Sequence, residues 1–171
     1  MLKKNIVLIG MMAAGKTTIG FKLAKKLKYQ FIDIDSEIEK SENEKIVDIF
    51  QNKGEEYFRK IEEKKTLLFL EKSKSVISLG GGAFLNDRIR KKVKKNSFSF
   101  WLSWKIKTIL TRISRNKRRP LALKLKKNDL AELYKKRVKF YKLSNFKVEC
   151  ENKTKNQIVN EIFKIIENEN S

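Results

Sequence analysis

A chain of 171 residues suits one domain with one core, burying about 70% of the surface its unfolded form exposes. Hydrophobic residues at 40% and charged residues at 36% make a globular balance with a very charged surface, without repeats or low-complexity tracts. The absence of histidine and the single cysteine, Cys150, exclude histidine triads, histidine metal sites and an intramolecular disulfide, and fit a reducing compartment. The net charge is +21, carried by 33 lysines and eight arginines against 20 acidic residues. Such a balance raises nucleic acid or an anionic membrane as a partner. The excess of Lys over Arg, beside abundant Ile and Asn, reads instead as compositional drift over solvated helix faces. In either case the field favours anionic small molecules.

The first apolar run, Asn5 to Ile9, reads as a buried strand. Lys3 and Lys4 before it, with Ala13-Ala14 after it, also resemble a secretory signal. Cleavage there would cut the strand from Gly15-Lys16-Thr17, so the strand is the expectation. No run approaches the roughly 20 apolar residues of a membrane span. Gly10-x-x-x-x-Gly15-Lys16-Thr17 follows, and a helix from Lys16 to about Leu27 carries Ile19, Leu23 and Leu27 four apart. Strand, glycine loop and helix in this order are the setting of a phosphate-binding P-loop. Its backbone N–H groups and the helix N-terminus favour phosphate. Lys16 would reach the terminal phosphates and Thr17 would ligate Mg²⁺.

A second strand, Gln30 to Asp33, runs into Asp33-Ile34-Asp35. In extended backbone the two carboxylates share a side and point to the rim of the nucleotide site. A kinase needs carboxylates there to hold Mg²⁺ and to orient or deprotonate an acceptor hydroxyl. The other reading is capping, with Asp35 or Ser36 starting the next helix; beside a P-loop, function is preferred. A helix is expected over about Glu55 to Glu71. Within it Phe58-Arg59-Lys60-Ile61-Glu62 puts Arg59 and Glu62 on one face. That pair is either a surface ion pair or a guanidinium fork for a carboxylate.

A third strand, Ser75 to Leu79, leads into Gly80-Gly81-Gly82. This run is either a flexible turn or a place where backbone approaches a ligand, and the second is favoured. Helix (Arg88 to Lys95), strand (Phe98 to Leu102) and helix (Lys105 to Arg115) follow. The stretch Arg115 to Asn128, with Pro120 and no acidic residue, reads as a mobile loop. A helix over Asp129 to Tyr141, a strand over Phe146 to Glu149 and a helix over about Asn156 to Glu167 complete the chain. In that last helix Ile158, Ile162 and Ile166 share a face. Strands alternating with helices predict a parallel sheet covered on both faces, with ligands beyond the C-terminal strand ends. Arg112, Arg118, Arg119 and Arg137 stand out in a chain that prefers lysine. They suit fork geometry, or simple phosphate affinity in the loop.

Together these residues resemble the shikimate kinase family over nearly the whole chain. The matching stretches are Gly10 to Gly20, Phe31 to Asp35, Ile46 to Phe50, Gly54 to Glu63, Leu79 to Ala83, Arg112 to Leu121 and Lys136 to Tyr141. The P-loop is common to many kinases; Asp-x-Asp, Phe-Arg-x-x-Glu and Gly-Gly-Gly in this order are more specific. The resemblance implies a single P-loop kinase domain over residues 1–171, with a five-stranded parallel sheet, flanking helices and a mobile lid at about 113–127. It implies ATP-dependent phosphorylation of the 3-hydroxyl of shikimate, with Mg²⁺, in aromatic amino-acid biosynthesis. It further implies a cytoplasmic monomer with no nucleic-acid or membrane partner.

Residue by residue, the resemblance puts Ala13, Ala14, Gly15, Lys16, Thr17, Thr18, Arg112 and Arg119 at the nucleotide, with Arg112 near the adenine. It puts Thr17 and Asp33 at the metal. Asp35, Arg59, Glu62, Gly81, Gly82, Arg137, Phe50 and Phe58 are placed at shikimate, with Arg59 and Arg137 gripping its carboxylate. Asp35 is the implied base, and Lys16 and the lid residue Arg119 share the catalysis with it. Ala13 departs from a common glycine of the family's P-loop, which stiffens that turn. Glu151 to Lys155 lacks the arginine and proline expected near the adenine. A kinase for another small hydroxy acid, such as gluconate, is the alternative from the same superfamily, and a basic nucleic-acid-binding module is a remote one.

Overall fold

The computed structural model describes residues 4–115 and 127–169. Five strands form one parallel sheet: β1 (Asn5–Ile9), β2 (Gln30–Asp33), β3 (Ser75–Ser78), β4 (Ser97–Ser103) and β5 (Phe146–Glu149). Their spatial order is β2-β3-β1-β4-β5. All five expected strands are present, three of them with the predicted bounds. All of β1 is buried, so Ile6 to Ile9 form the central strand of the sheet.

The helices are α1 (Lys16–Leu27), α2 (Ile34–Glu42), α3 (Ile46–Asn52), α4 (Gly54–Leu70), α5 (Asp87–Asn96), α6 (Ile106–Arg115), α7 (Lys127–Tyr141) and α8 (Lys155–Asn168), with a short 3₁₀ turn at Ala83–Leu85. The six predicted helices match to within one or two residues at each end. α3 and the extent of α2 were not predicted; for α2 the sequence offered only a helix start at Asp35 or Ser36, as the capping alternative. α2 offers only Ile34 and Ile38 as buried apolar positions, and α3 has seven residues and one buried position, Ile49. Neither carries enough of a 3.6-residue period to stand out. The stretch read as a lid is helical at both ends, since α6 runs to Arg115 and α7 starts at Lys127. The remainder, residues 116–126, including Arg118, Arg119 and Pro120, lies outside the described residues.

Alternation along β1 divides the core. Ile6 and Leu8 join Val76, Phe100, Leu102 and Val148 under α1 and α8, which contribute Leu23, Ile158, Ile162 and Ile166. Val7 and Ile9 face the other way, with Ile32, Ile77 and Trp101, toward Ile38, Ile49, Leu70, Ile89 and Tyr141. The buried single thiol, Cys150, is pushed up to about 12 by that burial, so it stays protonated and inert. No helix among the described residues is long and apolar enough to cross a membrane.

One buried polar residue ties the lower edge of the sheet together. Asn5 is 1% exposed. Its amide donates to Leu70 O at 3.3 Å and Lys72 O at 2.6 Å, and its carbonyl accepts from Ser75 N at 3.1 Å. It thus joins the start of β1 to the end of α4 and the start of β3. Asn5→Ala strands these backbone groups in the core and should cost about 2–3 kcal/mol. Thermal unfolding should show a drop of roughly 5–10 °C.

Candidate active site

The site grows from the ends of three parallel strands. β1 pairs with β3 in the register Ile6↔Val76 and Leu8↔Ser78, and Leu79 N–H donates to Leu8 O at 3.1 Å. β3 pairs in turn with β2, Asp33 opposite Ser78. The loop after β1, the triplet after β3 and the acidic turn after β2 therefore emerge side by side.

The loop after β1 is a phosphate cradle by geometry. Gly15 caps α1 with φ +88°, a left-handed backbone that glycine adopts without strain. The first turn of α1 holds no acidic residue, so its N-terminal partial charge is left for an anion. Ala13 also lies in the left-handed region, with φ +63°. For an alanine this costs about 1 kcal/mol, the physical content of the departure from glycine noted in the sequence. Lys16 is buried, and its ammonium donates to Gly10 O at 2.8 Å and Met11 O at 3.0 Å. Ala13, Gly15, Lys16, Thr17 and Thr18 line a cavity of about 300 Å³ together with Asp33, Asp35, Gly81 and Arg112. Ala14 is fully buried and does not border that cavity. Its carbonyl accepts from Trp104 Nε1 at 3.0 Å.

The carboxylate pair is built differently from the expectation of a shared extended backbone. Asp33 is extended and caps α2, accepting from Ser36 N–H at 3.3 Å through Oδ1. Asp35 already sits in the first helical turn. Capping and site duty are therefore not alternatives, and the cap is Asp33 rather than Asp35 or Ser36. Both residues still border the cavity, because the β2 end and the first turn of α2 both face the loop. Thr17 Oγ1 donates to Asp33 Oδ2 at 2.7 Å. A hydroxyl and a carboxylate at the foot of a phosphate loop fit Mg²⁺, which takes one or two protein oxygens and fills its octahedron with phosphate and water.

The glycine triplet is a shelf across which ionic side chains lie. A methyl group added at Gly80 would collide with Glu62 Oε1 and come within 2.9 Å of Asp35 Oδ1. One at Gly81 would lie 2.8 Å from an Arg137 nitrogen, and one at Gly82 would lie 2.7 Å from an Arg59 nitrogen. Close backbone approach, not turn flexibility, is what these glycines supply. A second cavity of about 340 Å³ on this side is lined by Arg59, Glu62, Gly82 and Arg137 among others.

Arg59 and Glu62 resolve as a partly buried ion pair at 2.6 Å. Arg59 also reaches Glu55 at 3.2 Å, and its Cζ lies 5.2 Å from the Phe58 ring centre. Phe50 packs behind Phe58, 4.6 Å apart between ring centres, and neither ring borders either cavity. Arg137, 7% exposed, reaches Met11 Sδ at 3.6 Å, and its Nε has no hydrogen-bond partner. One turn on, Tyr141 donates its hydroxyl to Gly81 O at 2.5 Å, locking α7 to the shelf. Burial pushes that phenol up to about 12. Sequence reading missed Gly80 as a site residue, and Met11, Trp104 and Tyr141 altogether. Only Gly80 carried a local signal, its place in the triplet.

Burial pushes the Glu62 carboxyl above its ordinary value of 4.5; Arg59 pulls it down, Asp35 adds a further upward push and Arg137 a downward pull. The folded carboxyl thus holds its proton more tightly than the unfolded one. Its contribution to stability is complete below the ordinary carboxylate range and is lost as pH rises through the folded value. Arg59→Gln removes the main opposing charge and raises that folded value further. The loss of stability relative to the parent should then extend further above the ordinary carboxylate range. Urea unfolding at a series of pH values checks this; parallel pH profiles for the two proteins would contradict it.

The comparisons agree with this geometry. Residues 12–167 match the family model described as shikimate kinase. A shikimate kinase of Persephonella marina is 42% identical over 159 residues, covering 93% of this chain and 96% of the relative. The structure of shikimate kinase from Acinetobacter baumannii in complex with shikimate superposes with a TM-score of 0.91 at 30% identity, covering 98% of this chain and 94% of that one. That of shikimate kinase from Aquifex aeolicus superposes with a TM-score of 0.86 at 35% identity, covering 95% and 96%. The P-loop, the glycine shelf with its arginines and the match along almost the full length lead to one assignment: the chain belongs to the shikimate kinase family.

Proposed function

We propose that this protein transfers the γ-phosphoryl group of ATP to the 3-hydroxyl of shikimate. The observation that carries the reading is the position of Asp35. It borders the cavity that Lys16 borders, and it lies against Gly80 beside Glu62, on the side where Arg59 and Arg137 converge. A carboxylate between a phosphate cradle and a pair of guanidinium groups suits an acceptor that is both a carboxylate and a polyol. The unpartnered Nε of buried Arg137 supports the same reading, since a buried donor without a partner is costly unless a ligand supplies one.

In this scheme Arg137 and Arg59 hold the acceptor carboxylate by charge-assisted hydrogen bonds. Asp35 accepts the proton of the attacking hydroxyl. The acceptor oxygen bonds to the γ-phosphorus as the bond to the β,γ-bridging oxygen breaks, and ADP departs with that electron pair. Lys16 leaves the loop carbonyls to neutralise charge on the transferring group. Thr17 and Asp33 would hold Mg²⁺, which when bound would supply neutralisation of phosphate charge. Arg119, from residues 116–126, is assigned to the transferring phosphate, and Arg112 to the base side of the nucleotide.

A coupled ADP-release assay with Mg²⁺-ATP and a panel of hydroxy acids tests the proposal. Turnover should depend strictly on shikimate, and turnover with gluconate alone overturns the assignment. Asp35→Asn keeps the shape and removes the proton acceptor, so kcat should fall by about 10²–10⁴-fold with ADP affinity retained. A near-normal rate would remove Asp35 from the role of base.

A further inference from the structure

Trp104 lies just past β4 and outside every motif of the sequence. It is 7% exposed, yet three of its contacts are polar or ionic. Its indole N–H donates to Ala14 O at 3.0 Å. Its carbonyl accepts from Tyr134 Oη of α7 at 2.8 Å. Its ring carries the Arg112 guanidinium, with Cζ 3.6 Å from the ring centre. Arg112 in turn donates to Ala13 O at 3.4 Å and borders the cavity of the phosphate loop.

Two stacked side chains therefore grip two consecutive carbonyls of that loop, those of Ala13 and Ala14. Ala13 is the residue held at φ +63°. A left-handed alanine persists only where its surroundings over-determine it. Here the surroundings are the Arg112 and Trp104 donors, one on each of the two peptides that follow the strained Cα. The stack also removes Arg112 rotamers that point away from the cavity, since a planar guanidinium on an indole face is favoured over a freely rotating one.

The geometry points to Trp104 as a positioning residue for the nucleotide: it clamps the strained turn at Ala13 and fixes Arg112 against the cavity. This rests on the ATP reading above, but not on the identity of the acceptor. Trp104 touches no substrate in this scheme. It acts through the loop peptide and through Arg112.

Binding of Mg²⁺-ADP by calorimetry provides the test, because it needs no acceptor. Trp104→Phe keeps a ring for Arg112 and deletes the N–H donor. It should weaken ADP by about fivefold, the scale of one net hydrogen bond. KM for shikimate in the coupled assay should stay within about twofold. Adding Ala13→Gly to that variant supplies a residue that adopts the turn without strain, and should restore most of the ADP affinity while leaving the lost hydrogen bond unrepaired. A purely structural role for Trp104 predicts no such rescue. Unchanged ADP affinity in Trp104→Phe overturns the proposal, as does a double variant no tighter than Trp104→Phe. If the parent binds ADP but does not turn over shikimate, the acceptor reading falls while the clamp is still decided by the two affinities.

Discussion

The parallel pairing of β1 with β3 is the constraint on which the rest depends. It brings the end of the central strand next to the end of its neighbour, so that the phosphate loop and the glycine shelf leave the sheet together. A single backbone bond, Leu79 N–H to Leu8 O at 3.1 Å, carries the alignment one residue past the strand end. From that alignment the rest follows. Asp33 and Asp35 arrive from β2 on the far side of β3, and α7 closes over the shelf through Tyr141. A slip of one residue in this register would turn Leu8 and Val76 out of their shared core layer and separate the two loops. Site geometry and core packing are thus one specification.

Charge inside the site is organised by pairing and by closeness to backbone. Glu62 is 2% exposed yet acidic, and it is tolerable there because Arg59 meets it at 2.6 Å. Arg137 is buried beside a backbone from which a side chain is missing at Gly81. Without side chains on the shelf, the cations and carboxylates approach peptide rather than each other's bulk. Burial of these groups lowers the local dielectric, so charges held there interact more strongly than the same charges in water.

Much of this was legible in the sequence. The strands stood out because β1, β3 and β4 are buried on both faces and read as short apolar runs. The phosphate loop and the glycine triplet are local backbone requirements, so they leave local marks at Gly10, Gly15 and Gly80 to Gly82. What was not legible depends on distance along the chain. Trp104 meets Ala14 from 90 positions away, and Tyr141 meets Gly81 from 60; neither contact leaves a pattern around the residue itself. α3 and the extent of α2 escaped because a helix with one or two buried positions has almost no period to detect. Asp33 and Asp35 both border the cavity as expected, but on a different backbone, since a strand end and a helix start differ there by one residue. Glu151, in the segment lacking the expected arginine and proline, turned out to have structural work instead. It accepts from Lys105 N–H at 3.1 Å and from Thr108 Oγ1 at 2.5 Å, securing the start of α6.

The tether of Lys16 to the carbonyls of Gly10 and Met11 bears on selectivity. In a protein with a net charge of +21, phosphate, sulfate and carboxylates are all drawn toward the surface. Any of them that seeks the Lys16 ammonium must displace two backbone acceptors already in place. A single small anion exchanges one set of contacts for another with little net gain. A ligand with several phosphates would meet the loop N–H groups as well as the ammonium. The loop thereby carries its own internal competitor for the Lys16 ammonium, so a single small anion would gain little by binding there.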